Sequence, residues 1–327
     1  WLINNKNKIA QLIVSAREVN KFHGTFLSSI MKYQVNGRIH GEINQLRGDN
    51  GGTVSGRLSM SNPNLQQVPA RNKDFGPKIR SLFIPEEGFK WGSFDYSQQE
   101  PRMTVHYAAS IGDGYEGSNE LVEAYQNASA DFHQTVADLV GIERTQAKTI
   151  GLGLMYGMGK AKLAISLGVS KDEADELIIK YNKKVPFVKK LSDRCKYAAD
   201  EKGVIRTKKG RKCRFDMWET RDFGLHTAEK YEDEVAKNGK YNIKRAYTYK
   251  ALNRLIQGSS ADQTKQSMLD CYEAGHLPML QIHDELCFNV KDESHAKEIQ
   301  KIMQDAIEFK VPSVVDYGLG ESWGDAK

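Results

Sequence analysis

Apolar side chains return at helical spacing through Ile9, Leu12, Ile13 and Val19, and residues 5–30 hold no proline, so the pattern predicts one long helix there. Tyr33-Gln-Val-Asn36-Gly37-Arg-Ile-His40 then reads as two short strands around an Asn-Gly turn. Residues 47–72, rich in Gly, Ser, Asn and Pro, read as an irregular loop whose Arg57, Gln66, Gln67 and Arg71 are suited to contact a ligand. An apolar strand, Phe89–Phe94, runs into Asp95. Helical patterns follow at about 99–111, 118–127, 131–140, 143–156, 159–166, 171–183 and 186–202, and a hairpin at 204–215. The charged, mixed stretch 222–246 reads as an exposed excursion. A helix over about 246–274, two short strands within 279–290 around His283-Asp284-Glu285, and a helix over about 292–309 complete the pattern. Strands mixed with long helices, without regular βα alternation, predict an α+β fold.

Composition narrows the class. The 327 residues are 39% hydrophobic and 27% charged, an ordinary globular balance for one lobed domain or two. The start at Trp1, without methionine, is expected of a piece trimmed from a longer protein. No run of 18 apolar residues occurs and the first residues are too polar for a signal peptide, so a soluble protein with no membrane partner is expected, in the cytoplasm or alternatively in an organelle. Cys195, Cys213, Cys271 and Cys287 form no CxxC pair, which argues against a zinc site or disulfide framework. Net charge is +5, but residues 183–214 carry 13 Lys/Arg against 3 Asp/Glu. That local excess suits a polyanion partner, and equally a solvated charged surface.

Candidate chemistry is concentrated in three places. Arg144, Lys148, Leu152 and Tyr156 stand four residues apart. Each such step along a helix drifts only roughly 40°, so all four share one side. Two cations followed by apolar and flat surface suit a triphosphate with a sugar and base beyond it, against the plainer reading of an amphipathic helix with a basic rim. Asp95 ends one apolar strand and Asp284-Glu285 sits at a hairpin tip. Such carboxylates either cap turns or hold divalent cations through hard oxygen ligands. The glycines from Gly151 to Gly159 match neither a dinucleotide fingerprint, because Tyr156 takes the third glycine position, nor a P-loop, because Ala161 follows Lys160.

In order along the chain stand Ser55-Gly-Arg57-Leu-Ser59, Pro63-Asn-Leu-Gln-Gln67-Val-Pro-Ala-Arg71, Asp95-Tyr-Ser-Gln-Gln-Glu100-Pro-Arg102, Asp131-Phe-His133, Arg144…Lys148…Tyr156-Gly157, Asn253…Gln257-Gly258, His283-Asp284-Glu285 and Gly318-Leu-Gly-Glu-Ser-Trp323. This series resembles the family A (polymerase I type) DNA polymerases over nearly the whole chain. Asp95–Arg102 is similar to their motif A, usually DYSQIELR; the Arg144–Gly157 stretch to motif B; and His283–Glu285 to motif C.

The resemblance implies a right-hand polymerase: residues 1–33 as the base of a truncated thumb, 34–110 and 216–327 as an antiparallel-sheet palm, and 111–215 as helical fingers. It implies template-directed DNA synthesis, with primer–template DNA and dNTPs as partners and a processivity factor or an upstream exonuclease domain as further ones. Two Mg²⁺ ions, or Mn²⁺ in their place, are implied on Asp95 and Asp284 with the Tyr96 carbonyl assisting. Arg144, Lys148 and His133 would grip the triphosphate, Lys148 neutralising the leaving pyrophosphate. Glu100 would exclude a ribose 2′-OH, and Gln98 and Leu152 would line the nucleotide site. Tyr156 would stack at the template position. Arg57, Asn253 and Gln257 would read the minor groove, Arg71 would contact DNA, and His283 and Glu285 would support the metal site and primer terminus.

Four departures stand out. Leu152 replaces the usual Phe or Tyr, Pro101 the usual Leu, Gln99 an apolar residue, and Tyr249 a frequent Arg. They point to a phage or phage-derived enzyme in a bacterial or phage-infected cell. The rival readings are a single-subunit RNA polymerase and a catalytically inactive nucleic-acid-binding module.

Overall fold

Asn36 (φ 50°) and Gly37 (φ 79°) both take left-handed backbone, the requirement of a two-residue I′ hairpin turn, and so join β1 (Gln34–Val35) to β2 (Arg38–Ile39). The computed structural model describes residues 7–46, 52–69, 72, 74–126, 131–222, 224 and 226–326. Ahead of the hairpin, α1 (Lys8–Lys21) runs on as a π-helical stretch, Phe22–Ser28, into α2 (Ser29–Lys32). Asn7 caps α1 by accepting from the N–H groups of Ile9 and Ala10. The predicted apolar positions of α1 are exposed, and burial falls instead on Phe22, Phe26 and Ile30. After the hairpin come β3 (Glu42–Asn44), β4 (Ser59–Ser61), α3 (Gly76–Arg80), β5 (Lys90–Tyr96) and α4 (Gln99–Ala109). Six helices and a hairpin continue the chain: α5 (Ser118–Gln126), α6 (Phe132–Val140), α7 (Arg144–Met155), α8 (Lys160–Leu167), α9 (Lys171–Lys184), α10 (Pro186–Lys202), β6 (Val204–Arg206) and β7 (Lys212–Arg214) make that helical run with its closing hairpin. The remainder is β8 (Trp218–Thr220), α11 (Tyr231–Asn238), β9 (Ile243–Arg245), α12 (Ala251–Glu273), β10 (Pro278–Ile282), β11 (Glu285–Val290), α13 (Glu293–Asp305) and β12 (Val315–Gly320).

The chain divides into two compact units. The first, residues 1–95, 267–303 and 315–327, is built on a four-stranded sheet of order β10-β11-β5-β12, in which β10–β11 and β11–β5 are antiparallel. Its central strands are buried from Trp91 to Phe94 and from Leu286 to Phe288. Gly92 allows that packing, since a Cβ there would lie 2.4 Å from Val290 Cγ2. The second unit, residues 96–266 and 304–314, is mainly helical, with Ile150, Leu163, Tyr181, Phe187, Leu191 and Leu252 fully buried in one apolar cluster. Each such aliphatic or phenyl group contributes roughly 1.5–3 kcal/mol by leaving water.

Three stretches differ from the pattern-based reading. Residues 47–72 are not all irregular loop: Ser59–Ser61 form β4, paired antiparallel with β3, and Leu65–Gln67 form a 3₁₀ turn. Residues 222–246 are not a bare excursion: β8 and β9 pair antiparallel, with α11 between them, around Trp218, which Tyr231 meets edge-on at 4.9 Å and Arg245 covers at 4.6 Å. α12 starts at Ala251 rather than near 246, because Tyr247 takes positive φ (62°) and a 3₁₀ turn fills Thr248–Lys250. Among the described residues no helix is long and apolar enough to cross a membrane.

Candidate active site

The first unit brings Asp95 and the Asp284-Glu285 pair to one end of its sheet. Glu285 is the register partner of Asp95, and Ile282 pairs with Glu285 across a two-residue turn made of His283 and Asp284. Directly opposed strand residues have Cα atoms roughly 4.5–5.5 Å apart, so the carboxyl-bearing positions are neighbours although 189 residues separate Asp95 from Asp284. The Asp95 side is exposed and Asp284 half-buried.

The turn is braced from behind. His283 has positive φ (59°), and its carbonyl accepts from Gln281 Nε2 at 2.5 Å. The buried Gln281 in turn accepts from Gln66 Nε2 at 2.8 Å. Gln66, read from sequence as a ligand contact, is therefore part of that brace, while Gln67 is exposed. Glu285 Oε1 accepts from the indole N–H of Trp323 at 3.2 Å and from the Cys287 thiol at 3.5 Å. Among the described residues no three His, Cys, Asp or Glu side chains gather into a cage that could hold a metal ion. Two carboxylates nonetheless suit Mg²⁺, which keeps several waters and takes one or two carboxylates together with substrate phosphates. The donor set fits.

In the second unit α7 carries the cation stripe. Glu143 and Gln146 close a capping box at its start. Arg144 and Lys148 are exposed, Leu152 is half-buried against the apolar cluster, and Tyr156 is exposed. Among its buried residues, Gly151 allows a close approach: a Cβ there would lie 3.2 Å from the hydroxyl of Tyr181 on α9. Arg144 pairs with Asp131, donating from Nη2 and Nε to Oδ2 at 2.6 and 2.7 Å. The other Asp131 oxygen caps α6 by accepting from the N–H groups of His133 and Gln134. Burial works against that carboxylate's ionisation, but the hydrogen bonds from Arg144 and the α6 N–H groups outweigh it and hold it below its ordinary range. His133 is 4% exposed, and burial, with Lys148 and Arg144 nearby, depresses it to about 4 against the pull of Asp131. It is a neutral, interior imidazole.

Glu100 sits in the first turn of α4, and its carboxylate accepts a hydrogen bond from the Tyr156 hydroxyl. Gln98, in left-handed conformation (φ 52°) at the α4 N-cap, accepts from Phe132 N–H at 2.9 Å and from Tyr125 O–H at 3.4 Å. Asn253 and Gln257 stand one turn apart on α12, both half-buried. Tyr249 is exposed and packs on Gly157, whose Cβ, if present, would lie 3.0 Å from Tyr249 Cδ2.

Tyr96 ends β5, buried. Arg57 is half-buried in the first unit, and Arg71 lies outside the described residues. The basic 183–214 stretch is partly neutralised: Lys189 pairs with Asp193, Lys190 with Glu116 and Arg211 with the buried Asp262. Asp131 and Trp323 stand in motifs read from the sequence, but no role was given to either, and Gln281 gave no local signal.

The family model described as DNA polymerase family A matches residues 1–325. The "DNA-directed DNA polymerase" of Pseudomonas phage M6 is 40% identical, over 97% of this chain and 51% of its own length. "DNA polymerase DpoZ" of Acinetobacter phage SH-Ab 15497 is 31% identical, over 94% of this chain and 51% of its own. Among solved structures, the polymerase domain of Pol1 from M. smegmatis, in complex with DNA primer-template and dNTP, superposes with a TM-score of 0.77 at 27% identity, covering 97% of this chain and 53% of that one. The chain thus spans about half the length of the curated relatives it matches.

Proposed function

The chain belongs to DNA polymerase family A, and on that premise we propose that it extends a primer 3′-OH with deoxynucleotides on a DNA template, releasing pyrophosphate. The observation that carries this reading is the β5–β11 register, which sets Asp95 opposite Glu285 with Asp284 beside it. The expected lobes are a thumb base at 1–33, a palm at 34–110 and 216–327, and fingers at 111–215.

Asp95 and Asp284, with the Tyr96 carbonyl, would hold two Mg²⁺ ions. When bound, these would activate the primer hydroxyl and stabilise the leaving oxygen. The remaining chemistry is positioning and charge. Arg144 and Lys148 would hold the triphosphate, and Lys148 would neutralise or protonate the pyrophosphate as it leaves. Arg144 can be recruited because its present partner is cheap to exchange: the pair is 45% and 30% exposed, and such pairs contribute under about 1 kcal/mol. His133, held neutral, would donate or accept a single hydrogen bond and add no charge. Glu100 would block a ribose 2′-OH, fixed in place by the Tyr156 hydroxyl. That bond would also orient the Tyr156 ring for the template side. Gln98 would shape the nucleotide site through its hold on the α6 start. Arg57, Asn253 and Gln257 would sense minor-groove acceptors shared by every correct pair, Arg71 would contact DNA, and His283 and Glu285 would support the primer terminus. The setting would be a bacterial or phage-infected cytoplasm, consistent with the phage relatives.

The test is primer extension with Mg²⁺, comparing wild type with Asp95→Ala, first with dNTPs and then with rNTPs. Extension with dNTPs alone, abolished by Asp95→Ala without loss of primer–template binding, is expected. Extension with rNTPs in preference would make the protein an RNA polymerase. Binding with no extension would make it an inactive module.

A further inference from the structure

The closing segment, Gly318 to Trp323, has no part in the reaction described above, yet the fold spends considerable precision on it. Trp323 is fully buried. Its ring stacks on Trp91 (6.1 Å, 20°), meets Phe83 edge-on (5.5 Å) and lies under the Arg80 guanidinium (4.3 Å). Its backbone N–H donates to the Phe83 carbonyl at 2.9 Å. The flanking glycines make this seat possible. A Cβ at Gly324 would fall 2.7 Å from the Pro77 carbonyl oxygen, and one at Gly320 would fall 2.6 Å from the Ala326 nitrogen. Held on every side, the indole cannot turn, so its single N–H points one way only.

It points at Glu285. From this geometry we propose that Trp323 is a positioning residue for the polymerase site, its indole N–H and the Cys287 thiol together fixing the Glu285 carboxylate beside Asp95. The proposal rests on the polymerase reading and deepens it. Both donors meet the same oxygen, Oε1, at 3.2 and 3.5 Å. Cys287 is itself buried and braced by Ser93 Oγ at 3.8 Å. An anionic side chain directly across the strand pair from Asp95 has rotamers that would bring like charges together or let it compete for the cation that Asp95 is meant to hold. Two donors on one oxygen remove that freedom without removing the charge. Hydrogen bonds to an ionised acceptor are about twice as strong as neutral ones, so one indole N–H is sufficient to select a rotamer. The order of the motif follows: β12 ends at Gly320, and Trp323, flanked by Gly320 and Gly324, is delivered to the end of the sheet that β12 joins.

The experiment is a double-mutant cycle on the full chain with Trp323→Phe and Glu285→Ala. Phenylalanine keeps an aromatic ring among Trp91, Phe83 and Arg80 but removes part of the buried indole along with the donor, so the Glu285→Ala background is what separates the lost hydrogen bond from the lost packing. We expect Trp323→Phe to lower kcat for primer extension by about 10- to 100-fold, the usual loss on removing a group that orients a site residue. KM for dNTP and affinity for primer–template should stay unchanged. In the Glu285→Ala background the same substitution should have no further effect on kcat, and urea unfolding of the four proteins should show coupling between the two sites. Equal kcat in wild type and Trp323→Phe overturns the proposal, as do fully additive losses, which would mean that the ring acts through packing. If Trp323→Phe does not fold, Cys287→Val, which removes the second donor at similar volume, decides by the same cycle, and an unchanged kcat overturns the proposal. Wild type that fails to extend a primer sinks the polymerase reading instead, whatever the unfolding cycle gives.

Discussion

The Tyr181 hydroxyl is fully buried and has no hydrogen-bond partner among the described residues. It sits behind α7, where it faces Gly151. A buried, unsatisfied polar group costs about 1–3 kcal/mol, and phenylalanine would keep the ring's contacts. Tyr181→Phe is therefore expected to stabilise the protein by about 1 kcal/mol, the low end of that range, because the phenol's loss of solvation is partly offset in the unfolded chain's own compact states. Gly151→Ala tests the same contact from the other side. Alanine in a helix interior gains roughly 0.5–1 kcal/mol over glycine, but here its Cβ would press on the hydroxyl oxygen at 3.2 Å. In wild type the gain and the strain oppose, so the net change should be near zero. In the Tyr181→Phe background the obstructing oxygen is gone and the full propensity gain should appear. The assay is urea unfolding of the four proteins, with amide exchange along α7 to locate the effect. A Tyr181→Phe protein less stable than wild type by about 1 kcal/mol or more would mean the hydroxyl is satisfied by a group such as an ordered water. Strict additivity would mean that α7 does not rest on that ring.

Two further outcomes are expected. His106 and His133 are both held to about 4, chiefly by burial, while the unfolded chain takes up these protons near 6.5. Between those values the unfolded state binds more protons, so stability should fall as pH falls from 6.5 toward 4, by up to about 1.4 kcal/mol per pH unit for each histidine. Urea midpoints at stepped pH would check it, and His106→Gln should flatten the slope; a wild-type midpoint unchanged down to pH 5 would refute it. Leu152→Phe should raise the single-turnover rate of dNTP incorporation and tighten nucleotide binding, since a flat ring restores stacking area at a half-exposed position. Unchanged rates and affinity, measured by rapid quench, would show that the leucine is no handicap.

Local chemistry made much of this fold legible. The Asn36-Gly37 turn, the helical periods from α4 to α10 and the β10–β11 hairpin all rest on signals within a few residues of themselves. β12 was missed because Asp316, Gly318 and Gly320 interrupt any strand pattern, and its place is fixed by tertiary contacts such as Tyr317 stacking on Phe94 at 5.4 Å. The candidate site divides in the same way. The residues proposed for the site came from motifs at strand ends and on one helix face. What holds them could not be read there, because the bonds span long separations. Gln98 is bound by groups 27 and 34 residues away, and Glu285 by one 38 away.

That division also sorts the departures from the family pattern. Gln99 places an amide where an apolar side chain is usual, and it is 5% exposed. α12 answers with Gln263, whose Oε1 accepts from Gln99 Nε2 at 3.0 Å and whose own amide donates to Ser313 Oγ at 2.6 Å. Among the described residues Gln99 Oε1 has no partner, a residual cost of about 1–3 kcal/mol. Pro101 lies in the first turn of α4, where a backbone N–H would have no partner within the helix, so its loss costs little. Both changes face inward and are absorbed by neighbours in the same unit. Leu152 differs because it lies on the outward stripe between Lys148 and Tyr156, where the proposed partner is the nucleotide. Repacking behind α7 cannot restore a flat face in front of it. Of the departures within motifs A and B, this is the one whose consequence should appear in nucleotide kinetics rather than in stability.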